Sequence, residues 1–137
     1  MSKLLFAARL LCGIPLLSIG LQHLIGTAPM LPILEGAGLP FPELTAIVAP
    51  VIEVIAATLL LLGLTPRIAG LAAAGSMIGA IYAHVQFDWA DEPPMALPVA
   101  MLVAALLVAA RGSGVWALGN RASGDASPAP AEAPEAP

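Results

Sequence analysis

The chain has 137 residues, of which 59% are hydrophobic and only 10% charged, against about a quarter charged in an ordinary soluble domain; this excludes a soluble globular protein. Aromatics make up 4%, and the apolar content is Leu, Ala, Ile and Val with a mean hydropathy of +0.94, which suits helices in lipid rather than lipid-facing strands. The net charge of −4 without a basic run removes the electrostatic footing for nucleic-acid binding. A single cysteine, Cys12, excludes an intramolecular disulfide, a Cys-x-x-Cys redox pair and a multi-cysteine iron–sulfur or zinc centre, and no metal site is expected.

In chain order, Lys3 and Arg9 ahead of an apolar run imitate a secretory signal, with Gly26-Thr27-Ala28 as a cleavage triplet. Pro29 would follow the cut and block it, and Arg9 leaves too short an apolar run for Cys12 to be a lipoprotein anchor, so a retained helix over about 4–26 is expected. Residues 27–43 form a long loop in which Pro29, Pro32, Pro40 and Pro42 surround Met30, Ile33, Leu34 and Phe41, expected to lie along the membrane interface. Apolar segments 44–64 and 68–87 follow, joined by the tight turn Leu64-Thr65-Pro66, and the first three segments have the ~20 residues a bilayer core requires. The fourth, 95–110, is short and spans by including Pro94 and Gly112. Pro50 and Pro98 are expected near helix starts, where a missing N–H does least harm. Gly75 with Gly79, and Gly70 with Ala74, mark a face of the 68–87 helix that can approach a neighbour closely. Trp89 and Trp116 read as interface anchors, and residues 119–137, dominated by Ala, Pro and Glu, as a disordered tail.

Orientation follows from positive charge, which is retained on the cytoplasmic side. Lys3, Arg9, Arg67, Arg111 and Arg121 all fall on one side of a four-span arrangement, while Glu35, Glu43, Asp88, Asp91 and Glu92 fall on the other. The expected fold is therefore all-α: a polytopic four-transmembrane-helix bundle over residues 1–118 with both ends inside. Arg9, Arg67 and Arg111 act as topology anchors in this reading, Arg9 by snorkelling to the cytoplasmic interface.

Few residues inside the membrane can ionise, and each is expensive in hydrocarbon and usually paired or functional. Glu53 sits nine residues into its helix from the outer end, about 13 Å at ~1.5 Å per residue and close to the midplane. His23 and His84 each lie three residues from the outer ends of theirs. Cα–Cβ bonds tilt toward a helix's amino end, so alternating helix directions aim His23 and His84 inward and Glu53 outward. The three converge in the outer half of the bilayer. His23 shares its side with Gly13, Leu16 and Gly20, and Glu53 has Ala46, Ala49, Ala56 and Ala57 near its face, so both face protein. A carboxylate at that depth must be protonated or paired, and an imidazole can take its proton. Tyr82 and Gln86 are weaker candidates, on the far side of their helix from His84.

Arg9 and Gly20, then Gly38-Leu39-Pro40, Glu53, Leu61-Leu62-Gly63-Leu64-Thr65-Pro66-Arg67, and Gly112-Ser113-Gly114 before Trp116-Ala117-Leu118, give the chain a resemblance to the DoxX family of bacterial and archaeal membrane proteins over roughly residues 3–118. The family commonly has Lys just after the helix-one glycine where this chain has His23, so a permanent charge becomes a titratable one. The resemblance implies a four-helix bundle in the cytoplasmic membrane of a bacterium or archaeon. It also implies association with quinone-linked redox: the family takes its name from a terminal quinol oxidase, and relatives form part of thiosulfate:quinone oxidoreductase or other membrane oxidoreductase complexes.

Three readings of function follow. The first is a membrane subunit in which His23, Glu53 and His84 line a quinone-sized pocket and supply protons, with electrons from a protein partner because no redox cofactor motif is present. The second is a non-catalytic assembly or scaffold protein for a redox or stress-response complex, docking a partner or a second copy through its small-residue stripes. The third is a b-type haem held by His23 and His84 as axial ligands, which would leave Glu53 without a partner.

Overall fold

The computed structural model describes residues 2–26, 28–86, 94–112 and 118. The acidic residues at 88–92, Trp89, Trp116, Arg121 and the expected tail at 119–137 lie outside the described residues. Among the described residues five helices follow in order: α1 Ser2–Leu24, α2 Leu31–Gly36, α3 Pro42–Leu62, α4 Pro66–Gln86 and α5 Ala96–Arg111. Among the described residues there is no strand, as expected where lipid offers the backbone no hydrogen-bond partner and each segment must satisfy its own. Three helices are long and apolar enough to cross a membrane, at 22, 21 and 21 residues, and α5 is a shorter apolar helix.

α3 and α4 begin two residues before their apolar segments because Pro42 and Pro66 start them; proline at a first helical position gives up an N–H that would have had no partner there. This corrects the reading of Pro50, which lies two turns inside α3 and is buried. Its missing amide leaves the carbonyl of Ala46 without the usual partner. α3 stops at Gly63, whose φ of 71° is left-handed. The Gly63 N–H donates to the Leu60 carbonyl at 3.1 Å and the Leu64 N–H to the Leu59 carbonyl at 2.9 Å, the paired closure that glycine favours at a helix end.

The four longer helices form a closed ring: α1 packs chiefly on α3 and α4 on α5, and the pairs meet through α3 with α4 and α1 with α5. Cys12, Leu16, Ala57, Leu60, Ala73, Met101, Ala105 and Val108 fill the shared core, which is rich in alanine, so the helices lie close. Gly70 shows how close: a Cβ there would stand 2.8 Å from the Ala105 carbonyl and 2.9 Å from the Ala109 amide. Ile14, Ile47, Ile55, Ile68, Ile78 and Val103 point outward and are exposed, an apolar perimeter that water would not tolerate but lipid does.

Two expectations are corrected. Within the stretch expected as a loop, residues 31–36 form a helix that packs onto α3 and α4, where Leu34 and Ala37 find buried sites. Arg9 does not snorkel. It is 1% exposed, with Nε donating to the Leu60 carbonyl at 2.7 Å and Nη2 to the Leu61 carbonyl at 2.7 Å, and its guanidinium carbon 5.8 Å from the Phe6 ring centroid. The carbonyl end of α3 carries the negative end of the helix dipole and lies within reach of the α1 face that bears Arg9, so the cation turns inward. Arg9→Met is expected to lower stability in detergent by about 1–3 kcal/mol, the usual effect of leaving buried acceptors unpaired, with Arg9→Lys restoring only part because an ammonium lacks the fork. Gly70→Val is expected to lower it by about 1–3 kcal/mol through overpacking against α5. Thermal melts of the purified variants check both.

Candidate functional site

The ring is tightly packed where α3 ends and hollow at the opposite end, where α1 and α4 finish and α3 begins. There a cavity of about 1010 Å³ opens between the helices, and α2 with the chain around it forms one wall through Met30, Ile33, Leu34 and Leu39. Ligand pockets commonly span roughly 300–1,000 Å³, so this one is at the large end. His23 from α1, Glu53 from α3 and His84 from α4 all line it, which is where helix direction alone aims them.

Two of the three form a close pair. His23 Nδ1 stands 3.8 Å from Glu53 Oε2, with side chains 14% and 8% exposed. That distance allows charge attraction but is too long for a hydrogen bond. Neither atom has a hydrogen-bond partner among the described residues although both are buried. Buried polar groups are nearly always satisfied, and a lone pair or proton left without a partner costs about 1–3 kcal/mol. One oxygen atom placed between them could accept from one and donate to the other. His84 is held differently: Nδ1 lies 2.8 Å from the Ala80 carbonyl and so donates to it, which leaves the lone pair of a neutral ring on Nε2.

Local sequence explains the pair. Gly20 lies one turn before His23, and a Cβ there would meet Val54 Cγ2 at 3.0 Å and Glu53 Cβ at 3.1 Å. The missing side chain lets α3 come against α1 just where Glu53 leaves it. Gln22 also lines the cavity and donates through Nε2 to Ser18 Oγ at 3.1 Å. Its place beside His23 was the available signal for it. Ser76 and Thr45 complete the polar lining; neither stands out in the sequence, since Ser and Thr are common in membrane helices. Tyr82 is exposed and does not line the cavity.

Within the chain no helix closely approaches Gly75 or Gly79: a Cβ at either would meet nothing within 4 Å, and both line the cavity. Gly70 and Ala74 are buried, and Gly70 has the close contact that excludes a side chain. Among the described residues no group of three or more His, Cys, Asp or Glu side chains is placed to hold a metal ion. With an oxygen bridging the 3.8 Å gap, the arrangement can pass a proton between a carboxyl and an imidazole beside a mostly apolar chamber. If the pair serves a ligand and not the fold, the double variant His23→Leu, Glu53→Met is expected to melt at the same temperature as the native chain or higher, since replacing both partners by apolar groups of similar size is close to neutral. A fall of the melting temperature would make the pair structural.

No curated protein and no solved structure gives a significant match to the chain. A family model does: described as DoxX, it matches residues 4–86, a stretch that takes in α1 to α4 and thus His23, Glu53 and His84. α5 lies beyond it. The match covers more than half of the chain, and with the long apolar helices it shows that this multi-pass membrane protein belongs to the DoxX family.

Proposed function

We propose that the chain binds a quinone in the chamber between α1, α3 and α4 and serves there as the proton-handling membrane subunit of a redox complex. The observation that carries this reading is the His23–Glu53 pair: two buried, unpartnered polar atoms 3.8 Å apart at the wall of a chamber otherwise lined mostly by apolar groups. A quinone needs that combination. Its carbonyl oxygen accepts hydrogen bonds, its ring and tail are apolar, and its reduction takes up two electrons and two protons. The carboxyl of Glu53 or the imidazole of His23 would donate one proton to the nearer carbonyl oxygen as two electrons arrive from the partner, and solvent would supply the second proton to the far oxygen and restore the proton of the pair.

Electrons come from a protein partner, since redox chemistry of this kind needs a cofactor and the sequence carries no motif for one. In the proposed arrangement the chain crosses the cytoplasmic membrane of a bacterium or archaeon four times, with Lys3, Arg67 and Arg111 inside and the chamber in the outer half. The 3.8 Å approach of His23 to Glu53 favours proton handling over axial ligation of a b-type haem by His23 and His84, because the imidazole already faces a carboxyl.

An azido-quinone photolabel applied to the protein in lipid nanodiscs tests the reading. Labelling should map to peptides of α1, α3 or α4 and fall at least about tenfold in Glu53→Gln, His23→Ala, the effect of losing a hydrogen-bonding energy of roughly 1.4 kcal/mol or more. Undiminished labelling in that double variant overturns it.

A further inference from the structure

Three reasons ordinarily keep a glycine inside a helix: a left-handed backbone, a neighbour too close for a Cβ, or space needed by something else. Gly13, Gly20 and Gly70 have the second reason, with atoms of the chain at 2.8 to 3.0 Å from the place of a Cβ. Gly75 and Gly79 have neither of the first two. Both lie within α4, neither has a positive φ, and nothing stands within 4 Å of a Cβ at either. They are one turn apart on the chamber wall, where Ala72, Ser76, Ala80 and Ala83 are also small and Leu71, Met77 and His84 are the longer α4 side chains. Glu53, which lines the same chamber, is 6% exposed with Oε2 unpartnered, which independently calls for a ligand.

We infer that Gly75 and Gly79 are the specificity-determining residues of the chamber: the planar head of the ligand lies flat on the α4 wall at these two positions while one of its oxygens reaches the His23–Glu53 pair, and the absent side chains set the widest ring that fits. This rests on the quinone reading and adds which residues choose among quinones. Ring stacking on a bare helix surface needs only close contact, and a side chain at either glycine would project into the volume the ring occupies. Fused two-ring heads depend on that volume; single-ring heads depend on it less.

The test compares a single-ring and a fused two-ring quinone with the same isoprenoid tail, bound to the full chain in nanodiscs, for the native protein, Gly75→Ala, Gly79→Ala, Gly75→Leu and Gly79→Leu. The Leu variants should lose at least about tenfold in affinity for the two-ring quinone and several-fold less for the single-ring one, with the Ala variants between. Melting temperatures should hold or rise in the Ala variants, because alanine suits a helix better than glycine and meets nothing here. An unchanged ratio of the two affinities overturns the inference while leaving the quinone reading in place, whereas failure of the native protein to bind either quinone overturns the quinone reading itself and this selectivity with it. A lowered melting temperature in the Ala variants, or loss of a self-associated form with quinone affinities unchanged, also overturns it, by making the wall a packing surface for another helix.

Discussion

A guanidinium buried in an apolar bundle must find acceptors, and in this protein the carbonyl end of α3 provides them. The turn at Gly63 engages the Leu59 and Leu60 carbonyls, and Arg9 adds a donor to Leu60 and supplies one to Leu61. The helix end is thereby neutralised as well as satisfied, since the cation stands at the negative end of the dipole. Losing the acceptors would strand the Arg9 guanidinium, which is 1% exposed, in an apolar setting. α1 is therefore pinned to one height and one rotation against α3, and everything further along the pair inherits that setting.

What it inherits is legible in the spacing. Arg9, Gly13, Leu16, Gly20 and His23 follow one another in alternating steps of four and three, the seam of a helix that packs along its length on a partner. α3 answers with buried Pro50, Glu53, Ala57 and Leu60, spaced in the same way. With Arg9 fixed at one end and Gly13 and Gly20 allowing close approach, His23 and Glu53 are brought together at the other end. They belong to the seam by position, yet they are the one step in it that the chain does not fill with apolar packing or complete with a hydrogen bond.

Much of this could be read before any coordinates. The polar exceptions in a chain with 10% charged residues are few, and the tilt of Cα–Cβ bonds with alternating helix direction places His23, Glu53 and His84 at one level. The fate of Arg9 could not be read in the same way, because its depth fits both a snorkelling and an inward-turned side chain, and the choice depends on helix rotation, which hydropathy does not fix. α2 escaped for a different reason: six residues bounded by prolines carry too little periodicity to distinguish a helix packed on the bundle from a loop at the interface. Gly75 and Gly79 show the limit of a motif, since small residues at four-residue spacing mark a helix that is approached closely or one that borders a void, and only the neighbours decide which.

The void has a consequence for stability. Close-packed interiors gain from dispersion contacts, and the groups lining this chamber depend for theirs on what occupies it, as do the carboxyl and imidazole that find no partner within the chain. A bundle stitched together mainly by alanine and glycine contacts has little surplus with which to maintain such a chamber for its own sake. In a bilayer the apolar part of the space can always be taken by an acyl chain, so apolar filling alone selects nothing. On the proposed reading, discrimination comes from two features that a lipid tail does not match: the polar pair, which an oxygen can bridge, and the α4 positions Gly75 and Gly79, which carry no side chain. A molecule that supplies both binds the folded state and not the unfolded one, and so stabilises the bundle in proportion to its affinity, which couples occupancy of the site to the integrity of the fold.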